Sequence, residues 1–291
     1  MKIAAFLLNG TPTVGLVSVD GLFVQPIVVS AEAAVRGALA LVESLARGDA
    51  FPALLAAVPL ANVQLTAPIP RPRRNIFCVG KNYHAHAKEF ATSGFDSSAK
   101  AGGDIPAVPI IFTKVPESVI GPADFIEMPV GVSHTIDYEA ELAVVIGKGG
   151  KGIKAADAMG HVWGYTIVND VTARDWQNRH LQWHMGKSFD TFCPMGPWLV
   201  SADECNGTNT QVRCYVNGEL RQDATTKELI FNIPTLIETL SAGITLYPGD
   251  IIATGTPVGV GVGFKPPKYL KAGDTVRIEI DGIGAIENPV R

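Results

Sequence analysis

The sequence predicts an α+β fold that is mainly β, and three observations predict it. Glycine and proline supply 30 and 20 of the 291 residues, about 17% against the ~12% of an average chain, which disfavours a helical bundle or coiled coil. Short β-branched apolar runs recur at intervals of 8–20 residues with glycine between them, the punctuation of strands and turns. Only 18% of residues are charged, below the ~25% of ordinary soluble domains. That argues against disorder and leaves material for a large core and a subunit interface.

Taken in order, residues 3–8, 13–18 and 22–26 alternate apolar runs with Gly and Asn-Gly turns and read as a β-meander. Alanine and leucine at helical spacing over 31–57 predict one helix with a glycine stop. The segment TAPIPRPRRN, 66–75, is dense in Pro and Arg and marks a boundary between a small α/β lobe, 1–68, and a second domain, 69–291. Beyond it, strands are expected at 75–79, 109–113, 141–146, 164–169, 212–216, 250–254 and 275–280, and helices at 83–90, 155–159, 172–179 and 234–241. Residues 91–108 are polar, Gly-rich and unpatterned, which reads as a mobile loop.

Composition also bounds the partners. The net charge of −4 offers no basic field for a polyphosphate backbone, so no nucleic acid is expected. No apolar run approaches the ~20 residues of a membrane helix, and the opening MKIAAFLLNG is too short for a signal segment. Cys78, Cys193, Cys205 and Cys214 lack C-x-x-C spacing, consistent with reduced cysteines in a cytoplasmic protein.

Four segments carry potential chemistry. In Asp137–Gly147, read as a strand, Glu139 and Glu141 project from one face, and Asp170 ends a second apolar strand. Carboxylates this close repel unless one is protonated or a hard cation such as Mg²⁺, Mn²⁺ or Ca²⁺ lies between them. The spacing alone equally suits a solvated pair on an exposed sheet face. In GKNYHAHAKE, His86 and Glu89 fall on one helical face, where a carboxylate orients an imidazole as a general base. A surface His–Glu pair is the plainer alternative, and His84 should diverge from His86. Arg174, Gln177 and Lys187 could donate to a carboxylate or an enolate oxygen, or simply serve as surface polarity and caps. Finally, TGTPVGVG at 254–261 lacks the Lys-Ser/Thr of a phosphate loop; it reads as a backbone-lined turn in which Thr256 presents its hydroxyl.

Together these segments resemble the fumarylacetoacetate hydrolase (FAH) superfamily. The GKNYxxHxxE helix, YEAELAVVIGK, NDVTARDWQ, GKSFDTFCP and TGTPxGVG occur in that family's order between about 70 and 291, and FKPP through LKAGD is similar to the FAH domain-containing protein 2 subgroup. The resemblance implies an FAH-type β-roll catalytic domain, a homodimer, and a divalent metal, Mg²⁺ with Mn²⁺ or Ca²⁺ as alternatives, on Glu139, Glu141 and Asp170. It also implies a water-activating dyad of His86 and Glu89 beneath a lid beginning in 91–108. Lys187 would lie by the metal, Arg174 and Gln177 would contact substrate or oxyanion, and Thr256 would contact a substrate carboxylate. Lys81 stands where many relatives carry Arg, and the longer N-terminal domain and further metal-binding Asp of the fumarylacetoacetate hydrolases proper have no clear match. The activity this implies is metal-dependent C–C hydrolysis of a 2,4-dioxo acid of the acylpyruvate or fumarylpyruvate type, in aromatic or oxo-acid catabolism. The alternative is an isomerase, hydratase or decarboxylase of a 2-oxo or 2-hydroxymuconate-type diacid, such as a 2-hydroxyhepta-2,4-diene-1,7-dioate isomerase. A catalytically silent carboxylate-binding dimer is a third reading, disfavoured because a binder needs no base.

Overall fold

Asn9 and Gly10 both adopt positive φ, 50° and 78°, the geometry of a two-residue turn that matches strand twist. They join β1 (Lys2–Leu8) to β2 (Thr11–Val17) as an antiparallel hairpin, and β3 (Phe23–Pro26) continues the meander. The computed structural model describes residues 1–91, 94 and 105–291, so most of the expected loop and lid at 91–108 lies outside the described residues.

The single helix expected over 31–57 is instead two short ones, α1 (Ala31–Val35) and α2 (Ala38–Ala46). Gly37 separates them at φ 62°, and a Cβ there would collide with the Pro68 carbonyl oxygen; the chain turns where a side chain does not fit. Two short strands, β4 (Val58–Pro59) and β5 (Gln64–Thr66), follow. Next come β6 (Ile76–Gly80), α3 (His84–Ala91), β7 (Ile110–Lys114), β8 (Val119–Ile120), β9 (Ile136–Asp137), β10 (Ala140–Ile146) and β11 (Val162–Asn169). The helix expected at 155–159 is a 3-10 turn at Ala158–His161. The chain continues through β12 (Thr172–Ala173), α4 (Arg174–Arg179), α5 (His184–Lys187), β13 (Cys193–Ser201), β14 (Gln211–Val216) and β15 (Glu219–Thr225). It closes with α6 (Ile233–Gly243), β16 (Ile251–Ala253), β17 (Thr275–Ile280) and β18 (Gly284–Pro289).

One large sheet runs β4-β3-β2-β1-β13-β11-β10-β16-β6-β7, with β5 on β1 and β8 on β13, and a second runs β15-β14-β17-β18. Strand β10 lies deep in the large sheet and is buried along its whole length. Leu142, Val144 and Ile146 pack into the core shared with Val212, Cys214 and Ile278 of the second sheet. Ala143 and Val145 face the opposite core with Leu39 and Val42 of α2. This two-fold alternation, buried on both sides, explains a near-continuous apolar sequence with no helical period. No helix among the described residues is long and apolar enough to cross a membrane. The four cysteines are buried and unpaired.

Candidate active site

The strand expected over 137–147 is broken. β9 ends at Asp137 and β10 begins at Ala140, so Tyr138 and Glu139 lie between two strands. The break is held from the far end of β11: Asn169 Oδ1 accepts the Glu139 N–H at 3.0 Å, and the Asp170 N–H donates to the Glu139 carbonyl at 2.9 Å. Glu139 and Glu141 therefore converge through this pinned bend rather than through strand alternation alone. Carboxylate oxygens of Glu139, Glu141 and Asp170 come within 4.8 Å of one another, and all three residues are buried.

Three buried cations surround this triad. Lys187 Nζ donates to Glu139 Oε2 and to Asp170 Oδ2, each at 2.7 Å. Lys114 Nζ donates to Asp170 Oδ1 at 2.7 Å and to the Val171 carbonyl at 3.1 Å, and it also bonds the Lys187 carbonyl. Arg174 Nε donates to Asp137 Oδ2 at 2.9 Å, and its Nη2 pairs with Glu139 Oε1 at 2.7 Å. Burial opposes ionisation of Glu139, but Lys187 and Arg174 outweigh it and hold the carboxyl down at about 2. Lys187 is likewise kept protonated against its burial by Asp170 and Glu139.

Glu141 is different. Among the described residues it has no cationic partner and only the Gly255 N–H, at 2.8 Å. Burial first, then the charges of Asp170 and Glu139, push its carboxyl well above the ordinary range. Three all-oxygen donors, one lacking a counter-charge, form a donor set suited to a hard divalent cation, and Glu139, Glu141 and Asp170 fit that group.

The dyad lies against the same space. His86 and Glu89 share the buried face of α3 with Nδ1 and Oε2 3.0 Å apart, while His84 is exposed. A narrow, partly open pocket is lined by His86, Lys81, Glu139, Glu141, Arg174, Gln177, Lys187 and Thr256, with Phe90, Phe112 and Trp183 as its apolar wall. Every site residue read from the sequence thus lines this pocket except Glu89 and Asp170, which hold residues that do. Arg174 is committed to Asp137 and Glu139, and its Nη1 also donates to Gln177 Oε1 at 3.1 Å. That leaves the NH₂ end of Gln177 as the donor the amide can offer.

The glycine-rich turn after β16 binds acids rather than phosphate. Its backbone N–H groups donate from Gly255 to Glu141, from Gly259 to Glu89 at 3.0 Å, and from Gly261 and Val262 to Asp137 at 2.6 and 3.0 Å. Such close approach needs glycine: a Cβ at Gly261 would lie 2.7 Å from Asp137 Oδ1. Sequence reading missed Lys114, Asn169 and Gln222 as members of this network. Lys114 gave one faint signal, a lysine closing the apolar run IIFT; Asn169 and Gln222 gave none.

A family model, the fumarylacetoacetate (FAA) hydrolase C-terminal domain, matches residues 75–291. Oxaloacetate tautomerase YisK of Bacillus subtilis (strain 168) is 52% identical over 232 residues, 79% of this chain and 74% of that protein. The mitochondrial oxaloacetate tautomerase FAHD2A of Homo sapiens is 47% identical over 244 residues, 83% of this chain and 74% of that one. Among solved structures, the fumarylacetoacetate hydrolase of the psychrophile Exiguobacterium antarcticum superposes with a TM-score of 0.84 at 40% identity, covering 100% of this chain and 99% of that one. The two sequence relatives are named tautomerases and the structural match is named a hydrolase; the higher identity of the former favours the isomerase side of the expected activities over C–C hydrolysis. From the bend at Glu139 to the glycine turn that grips its neighbours, the site lies wholly inside the matched segment, and the chain belongs to the fumarylacetoacetate hydrolase superfamily, where it aligns with the FAH domain-containing protein 2 subgroup.

Proposed function

We propose that this enzyme interconverts the keto and enol forms of a small 2-oxo dicarboxylic acid of the oxaloacetate type. The observation that carries the reading is the placement of one oriented base, His86, in a pocket that also holds Lys187 and two acids of the triad. The identity of the chain to two oxaloacetate tautomerases supports the same substrate class.

Glu89 occupies Nδ1 of His86, so Nε2 is the nitrogen that exchanges a proton with substrate. In the keto-to-enol direction His86 takes a proton from the carbon between the oxo group and the distal carboxylate. Negative charge then develops on the former oxo oxygen, where Lys187 and the Gln177 amide offer donors. His86 returns the proton to that oxygen, and the reverse sequence restores the ketone. The C–H bond is the one σ bond to carbon that breaks, the C=O π bond gives way to C=C, and no water is consumed. A divalent cation on Glu139, Glu141 and Asp170 supplies, when bound, Lewis-acid stabilisation of an enolate. Phe90, Phe112 and Trp183 keep bulk water from the base, and Thr256 donates to the distal carboxylate.

The test follows the ultraviolet absorbance of enol-oxaloacetate with the enzyme and Mg²⁺, in parallel with acylpyruvates assayed for C–C cleavage. Acceleration of ketonisation that is lost in His86→Ala is the expected result. Cleavage of acylpyruvates without accelerated ketonisation would overturn the reading in favour of a hydrolase.

A further inference from the structure

Gln222 lies on β15 in the second sheet and is 1% exposed, yet its side-chain amide reaches Ala140, between two pocket-lining acids, and the turn that carries Thr256. Its Oε1 accepts the Ala140 N–H at 3.0 Å. Its Nε2 donates to the Pro257 carbonyl at 2.7 Å and to Thr256 Oγ1 at 2.8 Å. The amide has one orientation only: the Ala140 N–H requires an acceptor, and the Pro257 carbonyl requires a donor. One Nε2 hydrogen therefore goes to Pro257 and the other to Thr256.

This arrangement sets the polarity of the Thr256 hydroxyl. An oxygen that already accepts from Gln222 is free to turn its own proton elsewhere, and Thr256 lines the pocket while 3% exposed. Ala140, the residue between Glu139 and Glu141, is tied to the same amide. One side chain thus links the backbone of the acid triad to the hydroxyl across the pocket. We propose that Gln222 is a positioning residue that fixes Thr256 as a hydrogen-bond donor to the distal carboxylate of the substrate, so that the pocket distinguishes dicarboxylic from monocarboxylic oxo acids. This rests on the oxo-diacid reading above.

The experiment compares binding of malate and lactate, unreactive hydroxy acids with two carboxylates and one, to the Mg²⁺-loaded enzyme by titration calorimetry. Gln222→Met is expected to weaken malate about tenfold, the loss of one hydrogen bond to a charged group, and to leave lactate within about twofold. In a Thr256→Val background Gln222→Met should have no further effect on malate, because its influence passes through the missing hydroxyl. If Gln222→Met fails to fold, Gln222→Glu keeps an acceptor for Ala140 but forces the Thr256 proton toward itself, and the same selective loss of malate is expected. Equal weakening of malate and lactate, or additive effects of Gln222→Met and Thr256→Val, would overturn the assignment and leave Gln222 a packing residue. Failure of the wild-type enzyme to bind malate would overturn the diacid reading itself, and this inference with it.

Discussion

Gly263 packs so closely on Glu89 that a methyl group on its α-carbon would overlap the carboxylate. Gly263 lies in a 3-10 turn without a positive φ, so alanine is conformationally acceptable there and the collision falls on the Glu89 side chain. Gly263→Ala should displace Glu89 from His86 while leaving the acid triad untouched. The expected result is a fall in kcat of about tenfold or more, the scale of losing an oriented base, with unchanged Mg²⁺ affinity. Steady-state kinetics beside a metal titration would check it; a parallel loss of metal binding would contradict the separation of dyad and triad.

Glu141 gives the metal-free protein a distinctive pH dependence. Its carboxyl is raised above the ordinary value of 4.5, so between these two values the folded state holds a proton that the unfolded state has released. Stability from this group is fully present below about pH 4.5 and is lost as pH rises through the raised value. Glu139 works in the opposite sense: lowered to about 2, it contributes stability above pH 4.5 that is lost as pH falls toward 2. Metal-free Glu141→Gln should lack the loss of Tm as pH rises above about 4.5 while keeping the acid limb, and its affinity for Mg²⁺ should fall by about 100-fold. Thermal melts in chelator across pH would decide this. An identical fall in Tm above about pH 4.5 in wild type and variant would show that Glu141 is not the group responsible.

How much of this was legible in the sequence depends on distance along the chain. Strands such as β14, β10 and β17 were readable to within a residue or two, because β-branched runs between glycines carry their own signal. Strand β13 was not, since Pro194 and Pro197 argue against an interior strand. The structure accommodates Pro197 opposite an irregularity between Tyr165 and Ile167 of β11. The helix break at Gly37 was hidden because alanine and leucine spacing continues through it, and only the contact with Pro68 shows why the chain must turn. At the site, His86 with Glu89 and Glu139 with Glu141 are near neighbours in sequence, so local periodicity could pair them. Lys114 and Gln222 reach the residues that line the pocket from β7 and from the other sheet, and no local pattern encodes which strands a topology brings together.

Metal binding should release protons for the same reason that Glu141 is raised. A cation entering the triad displaces the proton that burial and the Asp170 and Glu139 charges keep on Glu141. Affinity for Mg²⁺ should therefore climb with pH until the raised value is passed and then level. Calorimetric titrations in two buffers of different ionisation enthalpy should return a positive number of protons released per ion below that point. Equal heats in both buffers would show that the triad is already fully ionised before the ion arrives.

Lys114 and Lys187 both touch Asp170, but only Lys187 lines the pocket. Lys114 joins the end of β7 to Asp170, to Val171 and to the Lys187 carbonyl, so its loss leaves buried Asp170 with one of its two lysines and frees two backbone acceptors. Removing one member of such a pair costs about 3–5 kcal/mol, and Lys114→Met should lose that much in denaturant unfolding. Lys187→Met also bares Asp170 and Glu139, yet Lys114 and Arg174 stay beside them and no backbone carbonyl among the described residues loses its donor, so its penalty should be the smaller of the two. Its loss of turnover should be the greater, because it removes a donor to the developing enolate oxygen. Urea unfolding and ketonisation rates on the two variants would separate the roles. A Lys187→Met enzyme that unfolds earlier than Lys114→Met but turns over normally would reverse the assignment, making Lys187 the structural lysine and removing it from the reacting oxygen.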